Sequence, residues 1–207
     1  MTDTLVKWTE NAILVDAEHI DKVAFDLIVN FERMLGRRIP QADMARWIDC
    51  VALDGGLREG EHETLVVLIH DKEHDHLNNF APAHYDNELN GQAFRDHLGE
   101  FSISALPVES ITTKDDLFID TLELVCAQKE VRRIMVVPSD SLIPTVRRTL
   151  HRIGDDDKHI TLFAMQPVQQ DSSFRQEILG YSLMAALGIK SEELLENNGS
   201  PTRETYV

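Results

Sequence analysis

Four aspartates stand where an α/β chain tends to present its functional groups: Asp16, Asp115, Asp116 and Asp140. Asp16 ends the apolar run Ala12-Ile13-Leu14-Val15. Asp115 and Asp116 fall in the first turn of a helix that opens on Thr113, a good N-cap residue. Asp140 follows the continuous apolar run Ile134-Met135-Val136-Val137 across the break Pro138-Ser139. In a doubly wound sheet, strand ends and helix starts of this kind meet along the carboxyl edge, where ligands bind. Carboxylates gathered there without basic partners repel one another, and a divalent cation is the usual reason for such a cluster. Oxygen-only ligation suits Mg²⁺ or Mn²⁺ rather than zinc. Helical geometry puts Asp115 in line with Ile119 and Leu122, toward the sheet edge, and leaves Asp116, Asp120 and Glu123 on a more peripheral stripe. Asp16, Asp115 and Asp140 are therefore the expected metal ligands, Asp116 a further catalytic candidate and Asp120 an outer one. Each also has a purely structural reading as a cap, a turn residue or a complement to the helix dipole.

The elements that must position these groups follow from periodicity. Residues 11–16 read as a first strand and 22–35 as a helix with Val23, Leu27, Phe31 and Leu35 on one stripe, stopped by Gly36. The segment 43–53 is expected to hold a strand, as are 64–69 and 100–108, with a short helix near 90–98 between the last two. The apolar residues Phe118, Ile119, Leu122, Val125 and Cys126 recur at helical spacing after Thr113. The run 134–137 reads as a strand covered on both faces. A helix over 142–153 follows, with Gly154 as its stop, then a final strand over 159–165. Ser173 with Gln176 forms a capping-box signature for a helix over 174–187, closed by Gly188. The fold class is thus α/β, a Rossmann-like three-layer sandwich with a mainly parallel sheet. It reads as a single domain over 1–190, followed by a short helical turn and a disordered tail over 191–207.

Three of these blocks, ILVDAEH, TKDDLFIDTLEL and RRIMVVPSDSLIPTVRRTL, resemble in sequence and order the signature blocks of NYN domains, within the PIN-like nuclease superfamily. The Asp-Asp pair of the middle block is most similar to the Regnase-type ribonucleases, and the resemblance spans roughly residues 10–165. It implies a PIN/NYN-like fold and a metal-dependent endoribonuclease that hydrolyses phosphodiesters of single-stranded RNA. The implied metal-holding residues are Asp16, Asp115 and Asp140, with Asp116 beside them. The chain departs from the pattern at His19, where many members carry Asn. It departs again in the five-residue step from Asp115 to Asp120, where six is common. These departures carry the second expectation, a PIN-like binding or regulatory module with weak or absent catalysis. A third, a phosphatase with Asp16 as nucleophile, is poorly served by Glu18 in place of the second Asp of an Asp-x-Asp pair.

A formal charge of −16 over 207 residues argues against broad, nonspecific nucleic-acid binding. Segment 54–100 alone holds eleven acidic and three basic residues. Against that background Arg147, Arg148 and Arg152 are candidates for a basic rim that holds a phosphodiester; their alternative reading is a solvated helix face. The histidine-rich stretch 70–76, with His70, Asp71, His74 and His76, has the donors for a borderline metal but reads foremost as a solvated loop. No run of apolar residues is long enough to span a bilayer, and no signal-peptide pattern is seen, so a cytoplasmic protein with no membrane partner is expected. Cys50 and Cys126 lie in apolar segments and are expected to be buried thiols. Homo-oligomerisation is left open.

Overall fold

The computed structural model describes residues 7–153, 157–169 and 171–198. In chain order its elements are β1 (Asn11–Asp16), α1 (Ala17–Leu35), β2 (Ala42–Asp43), α2 (Met44–Asp54), β3 (His62–Asp71), β4 (Phe80–Ala81), β5 (Ala93–Asp96) and β6 (Gly99–Val108). There follow α3 (Lys114–Ala127), β7 (Arg133–Val137), α4 (Ile143–Ile153), β8 (His159–Ala164), β9 (Arg175–Ile178), α5 (Leu179–Ala186) and α6 (Ser191–Asn198). A π-helical turn, Tyr85–Leu89, precedes β5, and a 3₁₀ turn, Asp140–Leu142, leads into α4.

β1 and β7 are apolar on both faces because they sit at the middle of a seven-stranded sheet, ordered β5-β6-β3-β1-β7-β8-β9. Every neighbouring pair is parallel except β5 with β6. One face buries Ile13, Val15, Val66, Leu68, Met135 and Val137 against α1, α2 and α5. The other buries Leu14, Val67, Ile69, Val136 and Leu162 against α3 and α4. The architecture is α/β, a Rossmann-like three-layer sandwich. From β1 the chain winds outward through β3 and β6, then returns across the sheet to β7 and continues the other way. That reversal puts the topological switch point between β1 and β7, so the carboxyl ends of these strands open onto a natural binding crevice.

α3 forms as its periodicity requires. Thr113 caps it, and Phe118, Leu122, Val125 and Cys126 are buried, each large apolar side chain contributing about 1.5–3 kcal/mol. Gly36 stops α1 in the left-handed conformation (φ 65°), which is cheap only without a Cβ. α1 itself begins at Ala17, five residues earlier than expected, because Asp16 supplies its cap. Cys126 is buried, whereas Cys50 on α2 is half-buried.

Three local expectations are corrected. The segment 43–53 is not a strand but helix α2. Asp43 caps it by accepting from Arg46 N (3.1 Å), and Met44, Trp47, Ile48 and Val51 form a buried stripe at i, i+3, i+4, i+7. The segment 90–98 is not helical: β5 pairs antiparallel with β6, and Phe94 stacks on its register partner Phe101 (centroids 4.9 Å apart). The helix expected from 174 is instead β9, which extends the sheet beside β8 before α5 begins at Leu179; the Gln176 side chain accepts from Val168 N rather than capping a helix. β8 is therefore not the last strand. α6 is tied back to the loop after α1 by Arg37, whose guanidinium donates to Glu193 (2.7 and 2.8 Å). Gly154 and most of the expected tail, 199–207, lie outside the described residues. No helix among the described residues is long and apolar enough to cross a membrane.

Candidate functional site

At the carboxyl edge, the register Asp16↔Ile69 leaves Asp71 two residues beyond the end of β1, beside the first turn of α1. Asp16 is 1% exposed, and its Oδ1 accepts from His19 N (3.1 Å) as the helix cap. Glu18, on the first turn, accepts from the Asp71 amide through Oε1 (2.9 Å). Lys114 then enters from the opposite face of the sheet, as the first residue of α3. Its Nζ lies 3.1 Å from Asp16 Oδ1, 3.0 Å from Glu18 Oε2 and 3.8 Å from Asp71 Oδ2. His74 completes the group, with Nδ1 3.4 Å from Glu18 Oε1.

Burial dominates the electrostatics and is divided unequally. It pushes the Asp16 carboxyl above the usual aspartate range, with Lys114 opposing. For Glu18 burial works in the same upward sense, but the hydrogen bond and charge of Lys114 and the Asp71 amide together hold it below its ordinary value. Burial would depress Lys114, yet the charge of Asp16 and its contacts with Glu18 raise it, so the ammonium is kept charged. Tyr85, buried and stacked on His70 (centroids 3.8 Å, planes 12° apart), is raised by burial and by the surrounding carboxylates. This is an acidic pocket held together by one internal cation.

Two clefts flank the first turns of α1. One, of about 500 Å³, is lined by Glu18, Asp21, Phe25, His74, Asn79 and Tyr85 among others. Asp21 pins its outer wall by accepting from the amides of Asn78 (3.1 Å) and Asn79 (2.8 Å). The other, of about 450 Å³, is lined by His19, Lys22, Asp26, Ser139 and Asp140 among others. Here His19 Nε2 is buried, has no hydrogen-bond partner among the described residues and sits 3.8 Å from Asp140 Oδ1. Burial lowers the His19 pKa despite the nearby Asp140 and Asp16 charges.

The four aspartates do not converge. Asp16 is taken up by its cap and by Lys114. Asp140 is 62% exposed and faces His19. Asp115 and Asp116 are exposed; Asp116 exchanges hydrogen bonds with Thr113, its amide donating to Oγ1 (3.1 Å) and its carboxylate accepting from it (2.7 Å). The side chain of that helical turn which points to the sheet edge is Lys114, not Asp115. Among the described residues the groups able to hold a metal are Glu18–Asp71–His74, Asp75–His76–His84 and Asp49–Asp96–His97, and none includes Asp16, Asp115 or Asp140. The three aspartates expected to hold Mg²⁺ or Mn²⁺ are thus absent from these clusters. The arginines also sit elsewhere. α4 leaves the carboxyl edge at Ile143 and runs back, so Arg152 lies about 13 Å along it at 1.5 Å per residue. Arg152 pairs with Glu123 of α3, Arg148 donates to Thr145 (3.0 Å), and Arg147 is half-buried.

Lys114 is the site residue that sequence reasoning left out, while Glu18 entered only as a poor second Asp of a phosphatase pair and Asp71 only among the donors of the histidine-rich stretch. For Glu18 a signal existed in its place two residues after a strand-end Asp. For Lys114 the only signal was its position directly after the helix cap. A family model described as "Family of unknown function (DUF6621)" matches residues 5–194. No curated protein and no solved structure matches the chain.

Proposed function

The chain belongs to the DUF6621 family, and we propose that it is a binding or regulatory module of PIN-like architecture whose acidic edge is neutralised by Lys114 rather than by a divalent cation. One observation carries this reading: a single ammonium lies within 3.1 Å of both Asp16 and Glu18, and 3.8 Å from Asp71. Carboxylates crowded around the buried Asp16 require a positive partner, and a lysine supplies it permanently, without an open coordination position. A bound lysine offers no metal-activated water, so the edge is suited to recognition. Single-stranded RNA, the ligand implied by the NYN resemblance, is the first to try in the clefts beside α1.

The test is a set of single-stranded RNAs incubated with purified protein, with and without millimolar Mg²⁺ or Mn²⁺, together with Mg²⁺-dependent thermal melts. The module reading expects no cleavage and an unchanged melting midpoint in Mg²⁺. Metal-dependent cleavage that survives repurification would replace it with the second reading, a metal-dependent endoribonuclease of the NYN type. That alternative is favoured by one feature, the convergence of ligand atoms of Glu18, Asp71 and His74 within 4.8 Å of one another beside the larger cleft. Loss of the cleavage in Glu18→Gln, with the fold intact, would place the chemistry there.

A further inference from the structure

The segment after β3 brings two histidines together that are eight residues apart in the chain. Leu77 N donates to Ala83 O and Tyr85 N to Asp75 O, both at 3.0 Å. These bonds flank His76 and His84, which form an antiparallel bridge. Bonds on either side of a pair, rather than within it, define the non-hydrogen-bonded position of an antiparallel ladder. There the backbones approach most closely and both side chains leave on the same face. The two imidazoles accordingly lie with centroids 5.2 Å apart and planes tilted by 40°. Asp75 Oδ1 reaches His76 Nδ1 at 2.6 Å, and one ligand atom from each of Asp75, His76 and His84 lies within 4.8 Å of the others. Glu88 holds the second limb of the bridge by accepting from the amides of Ala83 (2.9 Å) and His84 (3.0 Å).

We propose that His76, His84 and Asp75 form a binding site for one divalent transition-metal ion of the zinc class, separate from the carboxylates around Lys114. Two imidazoles and one carboxylate are the donor set that such ions favour, and three protein ligands leave the fourth position open. Tetrahedral zinc with bonds near 2.0–2.1 Å separates its donors by roughly 3.4 Å, so closure onto the ion asks for side-chain shifts on the order of 1 Å. All three side chains are exposed enough to make them. His76 also lines the larger cleft, so the open coordination position adjoins the space where a ligand would enter. The other two His-containing groups have a single imidazole each, and in one of them Glu18 and Asp71 are already engaged by Lys114.

The probe is Zn²⁺ itself, titrated by calorimetry into the full chain after chelator treatment. One ion per chain is expected, with affinity weakened about tenfold or more in His76→Gln and in His84→Gln and unchanged in His74→Ala. Circular dichroism of each metal-free variant checks the fold, which these exposed positions leave intact. The proposal is overturned if the parent takes up no zinc at high-micromolar concentration, or if binding survives both Gln substitutions. Loss in His74→Ala alone also overturns it, by moving the ion to the Glu18 group.

Discussion

Replacing Lys114 by Met removes the one lysine or arginine that, among the described residues, pairs with Asp16, Glu18 and Asp71, while keeping the length and apolar stem of the side chain. Breaking a buried ion pair from one side costs about 3–5 kcal/mol, and the lower end applies because Lys114 keeps 21% of its side chain exposed. A ceiling follows independently. The folded protein can always escape by protonating Asp16, whose ordinary pKa is 3.8; at pH 7 that takes about three units at 1.36 kcal/mol each, or about 4 kcal/mol. The expected loss is therefore about 3 kcal/mol at pH 7, equivalent to a drop in midpoint of roughly 10 °C for a chain of this size. The sign of its pH dependence follows from the same group. Burial raises the Asp16 pKa in the folded state, and without Lys114 the main opposition to that rise is gone, leaving the His19 amide hydrogen bond. The folded variant then binds more protons than the unfolded chain, so its stability grows as pH falls through the raised pKa toward 3.8. Urea denaturation at pH 7 and pH 5 measures both effects, and the double variant Asp16→Asn/Lys114→Met should recover most of the loss. A Lys114→Met protein within 1 kcal/mol of the parent at pH 7, with the same deficit at pH 5, would refute the idea that this ion pair organises the edge.

Other expectations are smaller and local. Asp43→Ala should destabilise by about 1 kcal/mol in urea melts through loss of the α2 cap, and an unchanged midpoint would count against that cap. Asp54, the last residue of α2, has its carboxyl raised by burial and then by Glu177, and it also opposes the helix dipole. Its ionised form therefore weakens the fold above pH 3.8. Asp54→Asn should gain about 0.5 kcal/mol at pH 7, a gain that shrinks as pH falls toward that value. Arg152→Ala breaks an exposed pair with Glu123 and should change the midpoint by less than about 1 kcal/mol, with RNA affinity, where measurable, unaltered.

How far the sequence reaches can be judged element by element. β1 and β7 were legible because a strand buried on both faces must be apolar at every position, and few alternatives suit a short continuous run ended by Asp or Pro. α3 was legible because Thr113 and the apolar spacing agree. From these alone come the parallel core, its three layers and the placement of Asp16 and Asp140 at strand ends. α2 was misread because Trp47, Ile48 and Val51 suit a strand by type, and only their spacing with Met44 speaks for a helix. β5 and β9, four residues each, carry little pattern of their own; they are strands because β6 and β8 offer them an edge to pair with.

The site lay further from reach for a geometric reason. Successive helical residues project about 100° apart, so a small uncertainty in how α3 rotates decides between Asp115 and Lys114, a choice between a carboxylate and its counter-ion. Asp71 and Glu18 are 53 residues apart in the chain and meet only through the parallel register of β1 with β3. The pairing of His76 with His84 depends in the same way on two backbone hydrogen bonds across a turn. Residue type and period determined which segments reach the carboxyl edge of the fold. Register and helix rotation, which are properties of the packed whole, decided which of their side chains touch.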